Sequence, residues 1–275
     1  MPIQESLFDL KDLNITKNNF IPDPSQEEIE KPRPILYGDP FDFTTSPVLP
    51  KPAHQIEMVD IKGELNLTDR KIYNVILAAS WEQLADPEFI GPFSAPASAI
   101  RTAVGQENVR RNDRIRESLD RLLDVTVSFP RLMADGKIGE AKTHLLSYRA
   151  LPKDSGLVEW NFDPVLRPHL RTSSVWARLN LEVAAKFQSK YGLILFELLA
   201  LRQNLRNPYW SCSVEKLQAI LGVKKSMQSW GAFDRRCLKP ALEEISMYAD
   251  FSFDYETKKI PGSKKIGEII FKKKK

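Results

Sequence analysis

The chain has 275 residues, of which 42% are hydrophobic and 28% are charged, and its formal net charge is +4 at pH 7. This length and apolar content suit about two folded domains and exclude a wholly disordered or fibrous protein. The longest apolar stretch, residues 193–201, is broken by Glu197, so no membrane span is expected. Residues 1–5 lack the basic and apolar pattern of a secretory leader, and we expect a cytoplasmic protein with reduced cysteines.

Charge is distributed unevenly along the chain. Residues 1–60 carry a net charge of −6, residues 61–177 carry +1 and residues 178–275 carry +9. A basic carboxy-terminal part indicates a polyanionic partner, although a solvated lysine-rich surface has the same charge. Because residues 1–60 also hold 9 of the 19 prolines, we predict a flexible, acidic, Pro-rich leader without a functional site.

The first half of the chain predicts helices followed by a hairpin. Order is expected to begin near Ile61, and Thr68 can cap a first helix. Residues 91–98 predict a turn, and Gly105 ends the short helix after it. Residues 107–123 predict a charged helix. Residues 125–129 and 143–150 predict the two strands of a hairpin, with a turn at Asp135-Gly136. Leu157–Phe162 predicts a further strand, and a short helix is expected to start at Asp163-Pro164.

The second half predicts the same order of elements. A strand at residues 176–181 precedes a buried helix at residues 190–204. The elements after it are a helix capped by Ser213 and ended by Gly222, a basic helix at residues 229–248 and a hairpin at residues 251–272. Pro240 lies inside the basic helix and should kink or divide it near Lys239.

Two units of helices, each followed by a hairpin, predict an α+β protein with two tandem winged-helix domains. We assign residues 1–60 to the leader, residues 61–175 to the first domain and residues 176–275 to the second. We expect the second domain to provide the main sequence-specific contact with DNA, because its basic helix carries two arginines opposite an apolar stripe and its hairpin is tipped with lysines.

The basic helix carries two adjacent arginines, Arg235 and Arg236, beside an apolar stripe. Arginine can pair bidentately with guanine, and a good pair contributes about 1–3 kcal/mol of base discrimination. The alternative is a solvated helix surface on which Glu243 and Glu244 neutralise the arginines. With a hairpin attached, the pattern favours DNA contact.

Polar residues around this helix are predicted to contact DNA phosphates. The residues of the preceding turn offer ammonium, hydroxyl, amide and backbone donors, while the hairpin lysines contact the backbone without sequence preference. A plain polar turn would have a similar composition. The predicted contacts are Lys224, Lys225, Ser226, Gln228, Ser229, Lys258, Lys259, Lys264 and Lys265.

Signals for catalysis and metal binding are poor. The three histidines are isolated, the sequence has no phosphate-binding G-x-x-x-x-G-K-[ST] loop, and Cys212 and Cys237 lack zinc spacing. We therefore expect no catalytic residues, no metal and no cofactor. An enzyme, a nickase or a primase, is the alternative class, and the missing His-x-His pair counts against the nickase.

Several segments resemble the plasmid replication initiators of the RepA/RepE/Pi type, which bind iterons in theta replication. The resemblance covers roughly residues 61–271. The segments that carry it include Leu67-Thr68-Asp69-Arg70-Lys71, Phe187-Gln188-Ser189-Lys190-Tyr191-Gly192, Leu195-Phe196-Glu197-Leu198-Leu199, Ser213-Val214-Glu215-Lys216-Leu217, Leu238-Lys239-Pro240-Ala241 and Ile269-Ile270-Phe271.

The resemblance implies binding to directly repeated origin DNA and to the protein's own promoter. It also implies a host initiator and the replicative helicase as partners, and monomer and homodimer forms, with dimerisation through the first domain. The helix with Phe233, Arg235 and Arg236 would enter the major groove, whereas Asp234 departs from a frequently basic position. The matching first-domain helix carries Arg110, Arg111 and Arg114. A transcriptional repressor of the same fold is the alternative.

Overall fold

Helices and antiparallel strands alternate along the chain. The structure is a computed structural model, which describes residues 48–56, 64–106, 111–133, 135–151, 156–171, 175–203 and 209–274. Up to residue 171 the elements are β1 (Val48–Pro52), α1 (Ala53–Ile56), α2 (Leu67–Ala79), β2 (Phe93–Pro96), α3 (Ala97–Ala103), α4 (Asp113–Asp124), β3 (Thr126–Leu132), β4 (Ile138–His144), β5 (Leu146–Ala150) and β6 (Leu157–Phe162). From residue 175 they are β7 (Trp176–Asn180), α5 (Leu181–Lys186), α6 (Lys190–Ala200), β8 (Tyr209–Ser213), α7 (Val214–Ile220), α8 (Trp230–Phe233), α9 (Lys239–Tyr248), β9 (Phe253–Lys259) and β10 (Ile266–Lys273).

Among the described residues the strands form four antiparallel sheets. Strand β1 pairs with β7, β3 pairs with β4, and the two three-stranded sheets have the orders β2-β6-β5 and β8-β10-β9. Each half of the chain therefore places a hairpin after its helices, β3–β4 in the first half and β9–β10 in the second. Short 3-10 turns lie at Gln83–Ala85, Arg167–Leu170 and Lys225–Met227.

The described residues already form a strand at Val48–Pro52, so the prediction that order starts near Ile61 is wrong. Strand β1 pairs with β7 along its whole length, and Leu49 is fully buried. The prolines at positions 50 and 52 obscured this strand, but proline is tolerated in a strand that has a neighbour on one side only. The rest of the predicted leader, residues 1–47 and 57–60, lies outside the described residues.

Helix α2 begins after Asn66, and the predicted cap at Thr68 is wrong. The Asn66 side chain accepts a hydrogen bond from the Asp69 backbone N–H at 3.0 Å, and the Asp69 carboxylate accepts one from the Asn66 N–H at 2.8 Å. This reciprocal pair satisfies two amide groups that a helix start leaves open. The same carboxylate accepts two bonds of 2.9 Å from Arg121 of α4, so the cap also joins α2 to α4.

Two strand predictions in the first half need correction. Residues 93–96, predicted as part of a turn, form β2, in which Phe93 and Ala95 are buried while Ser94 is exposed. The predicted returning strand at residues 143–150 is not one strand. It covers the end of β4 and the whole of β5, and these two strands belong to different sheets. The chain changes sheets at Leu145 and Leu146, and both side chains are buried there.

The second half agrees more closely with its prediction. The Ser213 side chain accepts a hydrogen bond from the Lys216 N–H at 3.0 Å and caps α7. Gly222 ends that helix with a left-handed φ of 59°, a conformation that favours glycine. In the β9–β10 hairpin Phe251 and Phe253 are buried, as their spacing predicts. Strand β8, which the sequence did not reveal, completes this sheet.

A buried ionic network joins three elements that are far apart in sequence. The Lys51 ammonium of β1 donates to the Glu197 carboxylate of α6 and to the Asn74 side chain of α2, both at 2.8 Å. Asn74 in turn donates to the other Glu197 oxygen at 2.6 Å. These three side chains belong to residues that are 4%, 2% and 1% exposed. Burial lowers the pKa of Lys51, and the Glu197 carboxylate opposes that shift. The ion pair is stabilised by hydrogen bonds on both carboxylate oxygens.

Replacing Lys51 with methionine should lower the free energy of unfolding by about 3–5 kcal/mol, because Glu197 would keep a buried, unpaired charge. Urea unfolding followed by circular dichroism measures this loss. The control is the double variant Lys51→Met with Glu197→Met, which removes both charges and should lose less. A single variant as stable as the wild type would contradict the role of the network.

Candidate nucleic-acid interface

Residues 230–248, here called the basic helix, form one continuous helix with a change of geometry in its middle. Helix α8 leads into a π-helical turn at Asp234–Leu238, which α9 continues. Pro240 has no N–H to donate within this region, and the Lys239 N–H bonds to the Asp234 carbonyl five residues earlier. The predicted kink or division near Lys239 is not a break in the helix, and the irregularity takes the form of a wider turn.

The two sides of the basic helix differ as the sequence predicts. Phe233, Cys237, Ala241 and Ile245 are buried, whereas Arg235 and Arg236 are exposed. Within the described part of the chain neither arginine forms a salt bridge. The alternative partner Glu244 faces elsewhere, because its carboxylate accepts the backbone N–H groups of Gln188 and Ser189 before α6, at 2.9 and 3.3 Å. Both guanidinium groups are therefore available to an external ligand.

Asp234 has a structural partner that explains its place among basic residues. Its carboxylate accepts a hydrogen bond from the Tyr255 hydroxyl of β9 and pairs with the Lys239 ammonium at 3.1 Å. Burial and this hydrogen bond raise the pKa of Tyr255. Asp234 thus ties the π-helical turn to the hairpin. The sequence reasoning missed Tyr255 as the partner, although its place after Phe251 and Phe253 already put it on the inward face of the strand.

All five predicted phosphate contacts in the turn before the basic helix are exposed, namely Lys224, Lys225, Ser226, Gln228 and Ser229. Gln228 is engaged within the turn: its backbone carbonyl accepts from the Gln218 side chain at 2.8 Å, and its own side chain donates to the Val223 carbonyl at 3.4 Å. The Gln228 side chain therefore braces the turn.

The tip of the β9–β10 hairpin, here called the wing, carries the four predicted lysines, and all four are exposed. Gly262 adopts a left-handed φ of 74° in the turn between the strands. Lys258 pairs across the hairpin with Glu268 at 3.1 Å, and this contact raises the pKa of Lys258. Lys259, Lys264 and Lys265 form no salt bridge to a described residue. The wing thus presents three uncompensated ammonium groups.

Two of the three predicted first-domain contacts lie at or just before the start of α4. Arg111 and Arg114 are exposed there, while Arg110 lies outside the described residues. Further along the same helix, Arg121 is held by Asp69 and Arg149 of β5 pairs with Asp120. The free arginines therefore cluster at the amino-terminal end of α4.

Other kinds of site find little support in the described part of the chain. No group of three or more His, Cys, Asp or Glu residues there could hold a metal ion. Cys212 and Cys237 are both buried. No described helix has the length and apolarity that crossing a membrane requires.

Family models match both halves of the chain. The model described as Initiator Replication protein, WH1 matches residues 53–200, and the model described as Initiator Rep protein, WH2 matches residues 213–272. The chain belongs to the Rep initiator family. The predicted family and the predicted fold of two winged-helix domains are thereby confirmed. The first match runs past the predicted domain border at residue 175 and includes α6, which packs against α9; the border itself stays a prediction.

A solved structure shows the same fold at low sequence identity. This Rep initiator is similar to the Pi initiator protein, in its crystal structure with iteron DNA, with a TM-score of 0.57 and 15% identity over 78% of this chain and 95% of that chain. It also matches the crystal structure of domains 2 and 3 of RctB, with a TM-score of 0.47 and 13% identity over 75% of this chain and 82% of that one. A comparison with curated proteins finds no match.

Replacing Tyr255 with phenylalanine should lower the free energy of unfolding by about 1.5–3 kcal/mol, because the partly buried Asp234 carboxylate loses a hydrogen-bond donor. A double-mutant cycle with Asp234→Asn, measured by urea unfolding, should show that the two losses are not additive. Tyr209→Phe, at an exposed tyrosine of β8, is the matched control. Strictly additive losses would contradict the contact.

Proposed function

We propose that this Rep initiator starts plasmid replication by binding directly repeated sequences in duplex origin DNA, and that Arg235 and Arg236 read base edges in the major groove. The observation that carries the proposal is the exposed arginine pair on a winged-helix element whose opposite side is buried. An arginine that is free of carboxylates can place two donors on the O6 and N7 atoms of guanine. The basic helix is thereby anchored on one side and available to DNA on the other.

The other predicted contacts have supporting roles in this proposal. Lys224, Lys225, Ser226 and Ser229 would hold phosphates beside the start of the basic helix, and the wing lysines would add contacts with any sequence. Arg111 and Arg114, with Arg110, would hold the backbone from the first domain. Since the Gln228 side chain is bonded within the turn, its part is to shape the turn.

The ligand class rests on the family and on the fold. The Pi initiator protein, which has a similar fold, was crystallised with iteron DNA. This supports duplex repeats as the ligand of the present chain. We further propose that binding opens the origin, recruits the host initiator and the replicative helicase, and represses the initiator's own promoter. These steps need binding and assembly, and we assign no catalytic residue, metal or cofactor to them.

DNase I footprinting on DNA flanking the gene that encodes this chain tests the proposal. We expect protected direct repeats at a regular spacing of roughly two helical turns, because successive protomers would bind one face of the duplex. A variant with both Arg235→Ala and Arg236→Ala serves as the control and should leave no pattern. A single protected inverted repeat over a promoter would instead indicate a transcriptional repressor.

The single variants Arg235→Ala and Arg236→Ala should each reduce specific binding relative to nonspecific binding by about 1–3 kcal/mol for a bidentate base contact. Competition binding with repeat-containing and random duplexes measures the ratio. Arg178→Ala, at an exposed arginine of β7, is the matched control and should leave the ratio unchanged. If both arginine variants retain wild-type specificity, the base-reading role is wrong.

A further inference from the structure

Ile260 is an exposed apolar residue among the lysines of the wing. It follows β9 directly, and it is 43% exposed. Pro261, the next residue, is exposed as well. Apart from Gly262, the other residues from position 258 to position 265 are four lysines and a serine. Isolated apolar residues are common on protein surfaces, so the exposure of Ile260 alone assigns no role to it.

The backbone of the turn holds Ile260 in a fixed position. Its N–H donates to the Lys265 carbonyl at 3.0 Å, and its carbonyl accepts the Ser263 N–H at 3.0 Å. The Ser263 hydroxyl accepts a further bond of 3.1 Å from the Lys265 N–H. These three hydrogen bonds close the turn, so the tip of the wing is ordered before any ligand binds. A tip that is already ordered loses little conformational entropy when it enters a binding partner.

Gly267 keeps the wing thin beside the Ile260 side chain. A Cβ atom on Gly267 would lie 2.6 Å from the Cγ1 atom of Ile260, closer than two nonbonded carbon atoms can approach. The pairing of β9 with β10 also shifts at this place, between Ile266 and Glu268. Glycine inside a strand often marks such an irregularity or a close approach of another group. The missing side chain at position 267 therefore gives Ile260 its place across the hairpin.

Positive charge lies on both sides of this apolar tip. Lys259 is the last residue of β9, whereas Lys264 and Lys265 precede β10. As described above, none of these three ammonium groups forms a salt bridge to a described residue. A groove of duplex DNA has an anionic phosphate backbone on each side and stacked bases between the two backbones. An apolar tip with cations on both flanks is complementary to this arrangement.

We propose that Ile260 is a wedge that enters the minor groove and unstacks one base step of the DNA bound by the basic helix. The wedge rests on the proposed function: when the basic helix fills the major groove, an element attached beside it can reach the adjacent minor groove. That groove is about 6 Å wide and suits a thin tip. Apolar side chains that insert between bases kink the duplex, at a lower cost where a pyrimidine precedes a purine. The wing thereby adds a sequence preference to its phosphate contacts.

The fluorescence of 2-aminopurine tests the wedge, because this adenine analogue becomes brighter when it leaves the base stack. The probes are duplexes of about 30 base pairs, roughly three helical turns, that carry a repeat protected in the footprint. In each probe one adenine of either strand, within or beside the repeat, is replaced. Wild-type protein should raise the fluorescence about twofold or more at one position or at neighbouring positions. Ile260→Ala should lose this rise, and Ile260→Leu, which keeps an apolar side chain of the same size, should retain most of it.

Reference variants separate the wedge from the phosphate contacts of the wing. Ile260→Ala should weaken binding about three- to tenfold and leave the slope of log K against log salt concentration unchanged, because it removes no charge. Lys264→Ala with Lys265→Ala should reduce that slope. Val165→Ala, at a β-branched residue that is 40% exposed in the first half of the chain, is the matched control and should change neither binding nor fluorescence.

Thermal unfolding of each variant checks the fold, and Ile260→Ala should unfold like the wild type because the residue is exposed. A rise in fluorescence with Ile260→Ala that equals the wild-type rise would overturn the wedge alone. The wedge would also be overturned, without the proposed function, if the wild type bound the repeat and brightened no probe. A wild-type protein that protects no repeat would overturn the proposed function and the wedge with it.

Discussion

The carboxylate of Glu197 is the point on which the arrangement of this Rep initiator depends. It lies in α6, whose surroundings are almost wholly apolar, and its charge is tolerated there only because Lys51 and Asn74 donate to both of its oxygens. Those donors come from β1 and α2. Because the hydrogen bonds to this charge require a single geometry, they fix β1, α2 and α6 relative to one another.

Helix α2 connects this ionic network to other helices through further polar contacts. Asp69, in its first turn, holds Arg121 of α4, and Lys71, one turn before Asn74, donates to the Ala185 carbonyl of α5 at 2.5 Å. Glu244 of α9 then caps the start of α6. The helix that carries Arg114 and the helix that carries Arg235 are therefore joined through a short series of polar contacts. Such contacts favour one geometry more strongly than apolar packing, because a displaced polar group loses its partner.

Local signals allowed much of the fold to be predicted. The cap at Ser213, the glycine at position 222 and the spacing of Phe233, Cys237 and Ala241 depend on near neighbours in sequence, and the structure has all of them. Strand β1 could not be found in this way. Its prolines hide it, and only pairing with β7, more than a hundred residues away, makes it a strand.

In the candidate site, too, some features could be predicted from the sequence and others could not. Exposure of Arg235 and Arg236 follows from helical periodicity and was predictable. The partner of Asp234 was not, because Tyr255 lies on a strand whose position relative to the helix is set by tertiary packing. The contact of Lys190 with the Gly222 carbonyl likewise depends on tertiary packing, for which the sequence has no periodic signal. Whether each predicted residue contacts DNA remains a prediction.

The π-helical turn at Asp234–Leu238 also sets the rotational phase of the basic helix. In a regular α-helix, residues spaced by four drift by about 40° at each step, so Phe233, Cys237, Ala241 and Ile245 would spiral away from the core. A turn that holds more residues reverses part of this drift, and all four side chains are buried. The wider turn therefore keeps α9 in phase with α8, and it fixes the direction in which the two arginines leave the protein.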